Sequence, residues 1–146
     1  MKSGIRKDKI IRVKGAVAAG QTAINSDPVD MDEAESVEFV VLWGAITAAG
    51  VQSVKAQQDT VVGMGGAADL LGTSISVGAG DDGLVTRLEI IKPEERFVRC
   101  VVSRATQDSV VDGILAILRY PRVTPITQDA TVQGAESHVS PIEGTA

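Results

Sequence analysis

Along the chain, apolar and β-branched residues gather in runs of about five to nine, bounded by Gly, Asp, Asn and Pro, a spacing that favours strands over helices. Candidate strands lie at residues 10–17, 21–24, 37–43, 51–58, 74–77, 84–91, 97–103 and 114–120. Within 84–90 the alternation sets Leu84, Leu88 and Ile90 on one face and Arg87 and Glu89 on the other. Residues 96–104 repeat it, with Val98, Cys100 and Val102 opposing Arg99 and Ser103. One face of each strand is dry and the other wet, as two packed sheets require. Residues 37–43 are almost continuously apolar and read as a central strand or one covered on both faces.

The joints carry turn chemistry. Asp81-Asp82-Gly83 supplies an Asp-Gly pair, Lys92-Pro93-Glu94-Glu95 a polar corner, and Asn25-Ser26-Asp27-Pro28 a turn whose proline drives Asp27 to extended backbone. Helix is scarce: one turn is expected at 67–71 and another at 108–112. After Tyr120 the periodicity stops, and Pro, Ser, Thr and Gly dominate. The expected organisation is all-β, a single β-sandwich over residues 10–120, with an N-terminal arm at 1–9 and an extended or disordered C-terminal tail at 121–146. At 146 residues, such a domain buries roughly 68–70% of its unfolded surface without disulfides.

Charge divides the chain. Residues 1–14 hold six basic side chains against Asp8 alone, whereas the remainder holds eight basic and 18 acidic ones, so a basic arm hangs from an acidic body. Such an arm docks on nucleic acid or on an acidic protein surface. Nucleic acid is disfavoured, because the body is acidic and the few aromatics, 3% of the chain, are not interleaved with the arm. No apolar stretch approaches the roughly 20 residues of a membrane helix, and no signal peptide is read at the N-terminus. The lone Cys100 has no partner for an intrachain disulfide and reads as a buried structural thiol, fitting a reducing compartment.

Three constellations invite a chemical reading. Gly63-x-Gly65-x-x-Ala68 fits the glycine fingerprint of dinucleotide sites, with Asp81 and Asp82 downstream. It lacks the long helix whose N-terminus would face a pyrophosphate, because Gly72 ends any helix within about five residues, so a flexible loop is expected. Asp27, Asp30, Asp32, Glu33 and Glu35 cluster as a calcium site would, but without EF-hand spacing or its turn glycine. They read as a solvated loop or as an acceptor for a neighbour's basic arm. His138 is the single histidine, so no Ser-His-Asp or Cys-His arrangement and no zinc site is expected. No catalytic residue, metal or cofactor is assigned, and the protein is read as a non-enzyme.

Taken in order, QTAINSDPVDM (21–31), VEFVVLWGAIT (37–47), ADLLGT (68–73), ERFVRCVVSR (95–104) and ILAILRYPR (114–122) resemble small virion proteins of tailed bacteriophages. The likeness is to the capsid cement, or decoration, proteins of siphovirus-type heads, and it covers about residues 21–122. The resemblance implies a β-sandwich of jelly-roll type and no catalytic residues. It also implies a place on the outside of the virion capsid after synthesis in the host cytoplasm. Its expected partners are the major capsid protein and further copies of itself, as dimers or trimers, with Lys2, Arg6, Lys7, Trp43, Arg119, Tyr120 and Arg122 at the contacts; Trp43, which ends an apolar strand, reads as core ahead of contact. A tail or head–tail connector component is the alternative within the same particle. A carbohydrate-binding sandwich is disfavoured because it needs an exposed aromatic platform.

Overall fold

The two longest strands each carry 13 residues, β5 (Ala34–Ile46) and β11 (Ser109–Pro121), and they pair antiparallel along most of their length. In this computed structural model, which describes residues 7–140 and 142–145, they form the centre of one sheet. β1 (Lys9–Lys14) and β2 (Val17–Gly20) lie on the outer side of β11, and β9 (Val85–Ile91) on the outer side of β5. The second sheet is built on β10 (Phe97–Ala105) and β6 (Val51–Asp59). β3 (Ile24–Asn25) and β4 (Val29–Asp30) flank β10, while β7 (Ala68–Asp69) and β8 (Ile75–Gly78) flank β6. Two 3₁₀ turns, Met31–Glu33 and Ala79–Asp81, are the only helical pieces among the described residues.

When the short consecutive strands β1/β2, β3/β4 and β7/β8 are each counted as one interrupted segment, eight segments run 1-8-3-6 in the first sheet and 2-7-4-5 in the second. That order is a jelly roll: a long hairpin, pairing first with last and inward from there, rolled into two antiparallel sheets. The apex of the hairpin is the Gly-rich loop between β6 and β7.

The fold is held by alternation. From β5, Val37, Phe39, Val41 and Trp43 point inward, meeting Ile114, Ala116 and Leu118 of β11 and, from the facing sheet, Val54, Ala56, Val98, Cys100 and Val102. Burying a side chain of this kind stabilises by about 1.5–3 kcal/mol, which is why these positions fix the strand register. Where β5 and β11 shift register, Gly44 is required: a Cβ there would sit 2.8 Å from Val110 Cγ1 and 2.9 Å from Asp112 Oδ1.

Several local expectations are corrected. Residues 67–71 form no helical turn, because Ala68 and Asp69 pair with Gln58 and Gln57 of β6 and the Leu70 N–H donates to Ala56 O. Residues 108–112 instead begin β11, where Ser109 and Val111 find partners on both β2 and β5. Leu84 does not share the buried face with Leu88. It precedes the strand, its N–H donates to Asp81 O, and its side chain is exposed. Residues 21–24 are mostly a bend rather than a strand, and the Thr22 carbonyl of that bend accepts from Arg104. That guanidinium lies buried at the sandwich end and donates to Ala18 O, Thr22 O and Ser109 O.

Candidate functional site

Strand alternation gives the sandwich two outward faces. On the β5/β11 sheet the central outward positions are apolar: Leu115 stands opposite Val40, Ile117 opposite Ile10, and Leu42 opposite Val85, with Arg12 and Arg87 at the two ends of the Leu115–Val40 row. Val40, Leu42, Leu115 and Ile117 are half-buried, and Val85 is 52% exposed. These cross-strand pairs form an apolar strip, with the C-terminal segment lying against its Ile10–Ile117 end. Scattered apolar side chains on a surface are ordinary, whereas a contiguous strip is the mark of a contact surface.

A charge cluster closes one end of the strip. Glu38, an outward residue of β5, is only 2% exposed because Arg87 of β9 and Arg119 of β11 fold over it, each ion-paired with its carboxylate. The Arg87 hydrogen bond, with help from Arg119, holds the Glu38 carboxyl below the usual carboxylate range against the opposing effect of burial. Glu89 completes the cluster, accepting from Ser36 Oγ and lying 3.6 Å from Arg119.

The outward face of the β6/β10 sheet is different in kind. Lys55 and Gln57 both donate to Asp69 at 2.7 Å, and Arg99 donates twice to Gln57 Oε1. Ser53 stands opposite Ser103. Arg99, Gln57, Lys55 and Asp69 thus form one hydrogen-bonded chain across this face, beside the outward apolar residues Val51, Phe97 and Val101.

The expected contact residues are dispersed. Lys2 and Arg6 lie outside the described residues, and Lys7 is exposed just before β1. Trp43 is corrected: it faces the core at 2% exposure and its Nε1 donates to Thr86 Oγ1 at 2.8 Å, so it offers nothing to a partner. Arg119 lies on the outward face but is tied to Glu38. Tyr120, in left-handed backbone at φ 54°, is exposed at the end of β11. Exposed Arg122 follows it, its N–H donating to Glu33 O. Glu38, Val40, Leu42 and Leu115 were not singled out from sequence. The available signal was one carboxylate inside an apolar run, which demands a partner when buried.

The other constellations resolve structurally. In the Gly-rich loop, the Val61 and Gly66 N–H groups donate to the Asp59 carboxylate at 3.1 and 2.8 Å. They thus serve the chain's own acid and hold that carboxyl below its usual range. Asp30 and Asp32 are paired with Arg96, and Glu33 with Lys9. Three members of the acidic cluster are therefore engaged within the chain. Among the described residues no group of three or more His, Cys, Asp or Glu is placed to hold a metal ion, and no helix is long and apolar enough to cross a membrane. Cys100 is fully buried, which pushes its thiol up to about 12.

The C-terminal segment crosses beside β1. Beneath it lies a cleft of about 370 Å³ lined by Lys9, Glu33, Leu118, Arg122 and Ile126. A second, of about 420 Å³, opens between Gln128, Val132 and the outward residues Ile10, Ile117 and Arg119. No known protein-family model matches the chain, and no curated protein matches it.

Proposed function

We propose that this chain is a virion structural protein of a tailed phage, a cement or decoration protein that binds the outside of the capsid shell and stabilises it. The observation that carries the reading is the asymmetry of the two outward faces. An apolar strip lies at the centre of one outward face, and a hydrogen-bonded polar network on the other. The family resemblance of residues 21–122 and the jelly-roll topology support it.

In this reading the β5/β11 face lies on the major capsid protein and the polar face meets solvent. Depletion of charge at the centre with charged groups at the border is the usual anatomy of a protein contact, and here Arg87, Glu89 and Arg119 form the border. The mechanism is linkage: a protein that binds the closed shell and not the opened one raises the free energy of opening, by about 2.7 kcal/mol per site when free protein is at 100 Kd. A lattice repeats that contribution many times. Each contact then works at or below the standard interface of about 1,200–2,000 Å².

The test is co-sedimentation of the purified protein with undecorated phage heads, with heat resistance of the heads as the second readout. Stoichiometric binding that raises heat resistance is expected. No binding, with rings or tubes formed by the free protein, would transfer the chain to the tail or connector.

A further inference from the structure

β1 is an edge strand, since among the described residues its one strand neighbour is β11, and an edge presents unpaired backbone groups to any passing strand. Here that edge is occupied by side chains of the C-terminal segment. The Ile10 N–H donates to Gln128 Oε1 at 3.1 Å, and Gln128 Nε2 donates to Asp8 O at 2.8 Å. The primary amide of Gln128 thus occupies the place of one peptide unit of a missing strand, an acceptor for one edge group and a donor for the next. Two residues on, the Arg12 N–H donates to Thr131 Oγ1 at 3.0 Å.

The segment that makes these contacts is ordered within itself. Asp129 Oδ1 accepts from both the N–H and the hydroxyl of Thr131, and the Val132 N–H donates to Asp129 O. The tether to the body is different. Residues 123–127 separate this turn from the Arg122–Glu33 backbone bond, and such a length reaches at most about 18 Å. A self-organised turn on a short tether can move as a unit.

Charge selects where it can land. β1 carries Lys9, Arg12 and Lys14, whereas after Arg122 the chain carries Asp129, Glu136 and Glu143 and no Lys or Arg. Pairing of two β1 edges would set like charges together, which is unfavourable across neighbouring strands. An acidic turn on a basic edge is favourable, and it is equally so within one chain or between two.

We propose that residues 128–132 form an exchangeable arm, which closes on its own β1 in dilute protein and on the β1 of a second copy when copies are held side by side. Exchange of an identical element is a low-cost route to association, because every contact already exists in the closed form. Within one chain the tether keeps the effective concentration in the millimolar range, so exchange requires crowding of that order or a lattice. The inference goes beyond shell binding and is tested without assuming it.

Two variants, Ile10→Cys and Val132→Cys, place single thiols on either side of one cleft and leave Gln128 and Thr131 intact, while buried Cys100 stays unreactive in the native chain. Mixed in equal amounts and treated with a short bis-maleimide, they should yield a covalent heterodimer that increases with concentration. Adding Gln128→Ala to the Val132→Cys chain should reduce it at least tenfold. The double variant in dilute solution should instead cross-link within one chain. A mixture that gives no heterodimer at millimolar concentration or on heads would overturn the exchange, as would a heterodimer indifferent to Gln128→Ala. Amide exchange offers a second readout: Gln128→Ala should speed exchange at Ile10, and unchanged rates would show that the amide does not guard the edge. Head binding without heterodimer leaves the cement reading intact, and heterodimer without head binding leaves the arm intact.

Discussion

The two outward faces of the sandwich are made by the same rule and come out opposite. On β6 and β10 alternation turns Ser53, Lys55, Gln57, Arg99 and Ser103 outward together with Val51, Phe97 and Val101, and Lys55, Gln57 and Arg99 bind one another or Asp69. On β5 and β11 the corresponding positions are Val40, Leu42, Leu115 and Ile117, with Glu38 buried under two arginines. A sheet that faced only solvent would have no physical need for the second pattern. In the proposed reading the apolar face is the contact side, and the polar face serves as an internal control for every substitution.

The largest contrast is expected in binding. Val40→Asp puts a carboxylate in the middle of the apolar strip and should weaken attachment to undecorated heads by about 30-fold or more, the scale of a hot-spot loss of at least 2 kcal/mol. Ser53→Asp on the opposite face should leave it within about twofold. Equal effects, measured with circular dichroism unchanged, would erase the distinction between the faces.

Stability should separate the faces next. Glu38→Gln replaces a buried carboxylate with a group that cannot satisfy both arginines, and should cost about 1–3 kcal/mol in chemical denaturation at neutral pH. Asp69→Asn, on an exposed pair, should stay within about 0.5 kcal/mol. The sign of the pH dependence follows from the Glu38 carboxyl being held below its ordinary value of 4.5 by Arg87. Its contribution is fully present above that value and is lost as pH falls through the lower folded value. Glu38→Gln should therefore flatten the acid limb of the stability curve, and an unchanged limb would mean that the cluster holds no proton-linked energy.

The smallest effect concerns the basic N-terminus. Exchanging Lys2, Arg6 and Lys7 for Glu should lower head occupancy several-fold at low salt and less at 0.15 M, because exposed charges are screened over about 8 Å there. Occupancy that does not change, with the fold intact, would remove the arm from the contact.

What was legible in the sequence was whatever alternation alone decides. Val98, Cys100 and Val102 opposite Arg99 and Ser103 could be read directly, because a strand buried on one face leaves no other arrangement. The short strands could not be read: Ala68–Asp69 extends because Gln57 and Gln58, about ten residues earlier, offer backbone partners. Arg104 continues the inward series of β10, yet its charge argued for the surface until the carbonyls of Ala18, Thr22 and Ser109 converged on it. Glu38 was hidden for the opposite reason, since one acid in the run VEFVVLW leaves the run apolar. Its arginines come from strands some 50 and 80 residues later. The edge contact of Gln128 and Thr131 with β1 spans almost the whole chain, and no local pattern records it.

The most direct test is side-chain footprinting of the protein on undecorated heads against the free protein, with hydroxyl radicals. With the apolar strip seated on the shell, Leu42, Val85 and Leu115 lose reactivity on the heads while Lys55, Arg99 and the loop residues Val61 and Val62 keep theirs. Protection of the β6/β10 face with the apolar strip still reactive would contradict that seating.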